Sequence, residues 1–151
     1  MKLFAALALL ALPPSLLAAP VPKEMKKERT EGTWHMESLT AFGRPVNLGA
    51  GGLHWTIDAD GNMKSHNGPV VLEAARSFIR LAFDPESKTV DYKNVGATAK
   101  GSSSPGVYEL AGDSLRICCN IKGTAMRPTT LDAGPDVYLW TFKRVKPEAK
   151  Q

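Results

Sequence analysis

The chain is short of nearly everything that marks a reaction mechanism. Its 151 residues hold two cysteines, Cys118 and Cys119, which are adjacent. Two thiols cannot make a disulfide framework, and neighbouring ones match no zinc-ligand spacing. Histidine occurs three times, at His35, His54 and His66. There is no Gly-x-Ser-x-Gly elbow, no paired-histidine zinc helix and no phosphate-binding glycine loop. The serines of "GSSSPG" have no evident base. The longest early apolar run, Leu3 to Leu12, falls short of the roughly 20 residues a membrane-spanning helix needs. These gaps argue against an enzyme, a metal and a cofactor, although no fold excludes catalysis on its own.

What is present first is a leader. "MKLFAALALLALPPSLLAAP" places Lys2 before the apolar run, then Pro13 and Pro14, then the small residues Ala18 and Ala19. That order is the layout of a secretory signal peptide over residues 1–19. The mature chain is therefore expected in the periplasm or outside the cell, without a transmembrane span. Loss of Lys2 lowers the formal net charge from +4 to +3. The basic residues gather in "KEMKKER" and "FKRVKPEAK", each mixed with acids and lacking interleaved aromatics. Both read as solvated flanks, a charged linker over 20–30 and a tail over 147–151, and nucleic acid is not an expected partner.

The remaining stretch, 31–146, is one domain's worth of chain. Its apolar residues recur with period two. Leu53, Trp55 and Ile57 share one face of "LHWTID", with His54, Thr56 and Asp58 on the other. Asp60-Gly61 follows as a hairpin signal, because glycine accepts the positive φ of a tight turn. "ARSFIRLAF" favours a strand over a helix, with Ile79, Leu81 and Phe83 on one side and Phe78 on the other. "KTVDY" is a short strand. "GVYEL" and "SLRICCN" flank a turn at Gly112-Asp113, and "VYLWTFKR" puts Tyr138, Trp140 and Phe142 on one face. "KGSSSPG" reads as a loop. About eight short strands without a long amphipathic helix predict an all-β, single antiparallel up-and-down barrel. Its first and last strands would pair and remove the free edges.

"GTW", Gly32 to Trp34, is similar to the glycine-x-tryptophan that opens lipocalin-type barrels. A wider pattern runs through "GTWHMESLTAFGRPV", "FDPESKTVDY", "GVYELAGDSLRICCN", "MRPTTL" and a strand ending "FKR". It resembles an exported lipocalin-like domain family of planctomycete bacteria, over nearly the whole mature chain. The Tyr-Glu-Leu hairpin, the cysteine strand and the Arg-Pro pair carry most of it. The doubled cysteine and the stretch "NGPVVLEAA" depart from that pattern. The resemblance implies a lipocalin-like fold and an exported location but no mechanism. It also implies that Trp34 packs across the closed end beneath a basic residue of the last strand. Arg144 stands at the matching place, so Gly32, Trp34 and Arg144 are the expected structural end-plug.

Candidate functional residues follow from the strand faces. Trp55, Phe78, Tyr108, Trp140 and Phe142 would form the interior wall for a small apolar ligand. The same alternation fits an interior that these aromatics fill completely, and both possibilities stay open. The loops "GRPVNLGAGG" and "GTAMRPTTLDAGPD" offer the alternative, a barrel that recognises an envelope protein. Cys119 shares a face with Leu115 and Ile117 and is expected buried and inert. Cys118, beside Arg116, is the candidate reactive thiol, since a cation lowers a thiol pKa. The face bearing His54, Thr56 and Asp58 supplies two metal ligands and no third, so it reads as a solvated outer face. The expected molecule is a monomer.

Overall fold

The computed structural model describes residues 29–49, 51–67, 79–96, 101–120 and 126–146. The leader, Phe78 and most of the segment 67–83 lie outside the described residues. Nine strands form one antiparallel sheet: β1 (Gly32–Ala41), β2 (Arg44–Pro45), β3 (Leu53–Ile57), β4 (Asn62–Asn67), β5 (Ile79–Asp84), β6 (Thr89–Asn94), β7 (Ser103–Ala111), β8 (Ser114–Asn120) and β9 (Val137–Arg144). Each pairs with the next in chain order, except that β1 holds both β2 and β3. β1 also pairs with β9 and closes the sheet into a barrel. Eight strands make the wall, and the two-residue β2 is an extra hairpin arm. No helix occurs among the described residues. The fold is a closed up-and-down barrel, as the alternation predicts, and is consistent with the lipocalin-like fold that the resemblance implies.

The pleat sends alternate residues inward. β3 buries Trp55 and Ile57, β8 buries Leu115 and Ile117, and β9 buries Trp140 and Phe142. All six belong to one apolar cluster. β1 manages its several neighbours through a register shift between Met36 and Ser38, which leaves Glu37 unmatched on the β9 side. Such a bulge bends and twists a strand.

The tight connections gather at one end. The β3–β4 turn needs glycine twice over: Gly61 has φ +81°, and a Cβ there would lie 2.2 Å from the Leu81 carbonyl oxygen. Gly112, with φ +60°, turns β7 into β8 across Gly112-Asp113, between the paired Ala111 and Ser114. The β5–β6 turn also sits here. The opposite end carries the longer connections between β1 and β3, β4 and β5, β6 and β7, and β8 and β9.

One expectation is corrected. Half of "KGSSSPG" is strand, because β7 starts at Ser103. Pro105 is tolerated there for a geometric reason. The Tyr108 amide donates to the Lys88 carbonyl, so residues of its parity face β6 and Pro105 faces the other way. On that side the β8 ladder begins only at Gly106, paired with Cys119, so the missing N–H is not required.

Candidate functional site

At the end with the short turns, Trp34 is fully buried. Its indole N–H donates to the Thr30 carbonyl at 2.9 Å. The Arg144 guanidinium lies 4.1 Å from the centre of the indole ring. Arg144 also donates to the carbonyls of Glu31, at 2.7 Å, and Arg29. Gly32 makes this possible. It has φ +128°, and a Cβ there would stand 2.8 Å from Arg144 Nη1. The arginine thus ties the strand entering the barrel to the strand leaving it. A guanidinium over an indole adds a cation–π term of about 1 kcal/mol at a partly exposed site.

Beside this plug is an open cleft of about 650 Å³, lined by Arg29, Glu31, Asp58, Asp60, Arg80, Phe83 and Tyr108 among others. Its groups are largely engaged with one another. Asp58 accepts from the Asp60 and Asn62 amides and from the Asn62 side chain. The Asn62 side-chain bond is the main cause that holds the Asp58 carboxyl below its ordinary pKa. Arg80 Nε donates to the Asp60 carbonyl at 3.0 Å. Phe83 and Tyr108 meet edge to face, with centroids 4.9 Å apart.

Of the expected wall residues, Trp55, Tyr108, Trp140 and Phe142 are all buried. They pack on one another and on neighbouring rings. Trp55 lies 4.7 Å from Phe142 and 5.4 Å from Trp140, centroid to centroid. Tyr92 stacks on Trp140 at 5.9 Å. Offset and tilted aromatic pairs at these separations are attractive. Among the described residues these rings pack together in the middle of the barrel, and Tyr108 lines the cleft. Burial also pushes the Tyr92 hydroxyl pKa up.

Cys118 does not keep the role expected of it. It is fully buried, because the segment 126–136 lies over the outer face of β8. Its thiol points at the Asp132 carbonyl, 3.8 Å away. Arg116 Nη2 holds the Leu131 carbonyl at 3.0 Å. Desolvation raises the Cys118 pKa and outweighs the opposing pull of Arg116. Cys119, on the inner face, is pushed up to about 12, again mainly by burial. Thiols of this kind are poor nucleophiles.

The covering segment is anchored by Arg127 of the Arg-Pro pair. One guanidinium nitrogen donates to the carbonyls of Val90, at 3.0 Å, and Gly106, at 2.6 Å. The other reaches the Asp91 carboxylate at 2.7 Å. Of the "GTAMRPTTLDAGPD" loop, Arg127, Leu131 and Asp132 are therefore fastened to the barrel, while Met126 stays exposed.

His54 corrects a further expectation, that its face is solvated. His54 and His66 are both buried. The antiparallel registers place His35 opposite His54, and His54 opposite His66. All three histidines of the chain form one row across β1, β3 and β4. Their centroids are separated by 4.8 Å and 5.6 Å. The signal for half of this row was in the sequence: a turn centred on Asp60 pairs positions equally spaced about it, which brings 54 to 66. His35 required the β1–β3 register, which no local pattern supplies.

At the end with the longer connections, the exposed large apolar residues are Phe42, Val46, Val95 and Met126. Phe42, with φ +55°, leans against Tyr138 with centroids 5.9 Å apart. Inward-facing residues near this end, Leu39, Leu53, Tyr92 and Tyr138, are only partly buried and pack on the core from outside. No protein-family model matches the chain, and no curated protein matches it.

Proposed function

We propose that this protein is an exported, non-catalytic binding barrel that recognises an apolar partner surface in the cell envelope with its loop end. The observation that carries this is the location of Phe42, Val46, Val95 and Met126. Every exposed large apolar side chain among the described residues lies on a connection at that end. A rigid barrel presenting variable connections is a common platform for recognition. The mutual packing of the interior rings supports a shallow recognition surface over a deep pocket. Export rests on the leader-like order of Lys2, the apolar run and the small residues Ala18 and Ala19. Kinship with the exported lipocalin-like domain family agrees with the closed barrel and the Gly32, Trp34 and Arg144 arrangement. The buried, high-pKa thiols support a non-catalytic reading.

A second reading is a small apolar ligand inserted at the same end, against Tyr92 and Tyr138. Its support is that these inward rings remain partly accessible. Titration with a fluorescent fatty-acid analogue, together with native mass spectrometry of freshly purified protein, separates the two. Specific binding of the analogue, weakened at least tenfold in a Phe42→Ser/Met126→Ser variant of unchanged circular dichroism, supports the small-ligand reading. No analogue binding, with the wild type crosslinked to an envelope protein that the double variant fails to capture, supports the partner reading. Crosslinking and ligand binding both indifferent to the two substitutions would remove the loop end as the recognition surface.

A further inference from the structure

The row of histidines has no part in the proposed recognition. Its middle member is the informative one. His54 Nδ1 is buried and has no hydrogen-bond partner. A protonated imidazole donates from both nitrogens, so charging His54 would place an N–H where no acceptor waits. The neighbours make charging costlier. His54 and His66 stack with their planes 18° apart, and His35 tilts over His54 at 51°. Beyond His35, the β1–β9 register brings Lys143 into line on the same face. The row across β9, β1, β3 and β4 is therefore Lys143, His35, His54, His66, without an acid in it.

Among the described residues, the groups named around the row place no free carboxylate against it. Thr56, beside His54 on β3, bonds to His66 Nε2 at 3.0 Å and to Thr33 at 3.1 Å. Lys64 of β4 lies opposite Thr56 and adds positive charge. Glu37 of β1 stands at the bulge and is exposed. Asp58, at the end of β3, is held by Asn62 and by the Asp60 amide. Gly52 covers the far side of His35; a Cβ there would lie 2.7 Å from His35 Nε2. Only His54 and His66 stack; His35 is tilted against them. Among the described residues, no set of three or more histidine, cysteine or acidic side chains is arranged to hold a metal ion.

We propose that this histidine row is a pH-sensitive seam, and that mild acid loosens the β1–β3–β4 side of the barrel by charging the buried His54 imidazole, whose Nδ1 has no acceptor, in a row that continues to Lys143. The direction follows from linkage. Burial, then His35, then His66 lower the His54 pKa below 6.5 in the folded chain. The unfolded chain takes up its proton first as pH falls. Stability contributed by keeping His54 neutral is complete above about pH 6.5 and declines below it, until the folded pKa is reached. Carboxylates act elsewhere: Asp58 and Asp84, with pKa values lowered from 3.8, lose their contributions only at more acid pH.

The test is urea unfolding of the full chain between pH 7.5 and 5.5, beside His54→Phe. The wild-type unfolding constant should rise by up to about tenfold through His54 over this range. His54→Phe should flatten that rise. Carbon-13 NMR titration of the wild-type imidazoles keeps the question open to measurement if the variant does not fold; His54 should titrate below 6.5. Equal wild-type stability at the two pH values, an undiminished slope in a folded His54→Phe protein, or a His54 midpoint at or above 6.5 would each overturn the proposal.

Discussion

Gly32 shows how much can depend on one missing side chain. Its φ of +128° strains any other residue, and a Cβ there, 2.8 Å from Arg144 Nη1, would push the guanidinium aside. Gly32→Ala should cost about 1–3 kcal/mol, the usual range for a strained backbone position. Trp34→Ala removes a fully buried indole and should cost about 3–5 kcal/mol. Arg144→Ala should cost less, because the bonds it strips end on carbonyls at a partly exposed barrel end. Urea midpoints of the three variants check this order; a tryptophan variant as stable as wild type would contradict the plug. Gly32, Trp34 and Arg144 were expected together because "GTW" and the closing "FKR" resemble the lipocalin-type end-plug, and not from strand position alone. His54 and Cys118 were misread because what buries an outer-facing residue comes from elsewhere in the chain. Alternation tells inside from outside the barrel, and not covered from bare.

Among elements, the segment 126–136 matters most. It passes over β8, and Arg127 holds it through two carbonyls and one carboxylate. Arg127→Ala should release it and expose Cys118, while Cys119 stays sealed on the inner face. Alkylation by iodoacetamide in the folded state, followed by peptide mass spectrometry, should show at least a tenfold faster reaction at Cys118 in the variant. Unchanged protection of Cys118 would mean that Arg116 and its bond to Leu131 suffice as the clamp. The strands themselves were readable: β8 and β9 coincide with "SLRICCN" and "VYLWTFKR". β7 was only partly readable, since serine, proline and glycine signal a turn unless the neighbouring ladders are known. Gly106 is there for contact; a Cβ would meet Cys119 Sγ at 2.4 Å.

At the scale of the whole molecule, the period-two pattern and the tryptophans on the first and last strands carried the closed barrel. Whether the interior was hollow could not be read from them, because a lined pocket and a packed core alternate alike. Among the described residues, Trp55, Tyr92, Trp140 and Phe142 touch one another there, which favours a packed core. All three tryptophans of the chain are buried. Native emission should therefore be blue-shifted and poorly quenched by acrylamide, with a single red shift on unfolding. Strong quenching in the native state would indicate a barrel wet inside.

The bond from Arg144 to the Glu31 carbonyl has a topological corollary. Entrance and exit of the wall share one pole, a few ångströms apart. A short peptide could splice them and the chain be reopened at Phe42-Gly43, giving a circular permutant with every ladder intact. Equally, a graft or surface tether fastened at that pole would hold the opposite rim outward, facing whatever approaches.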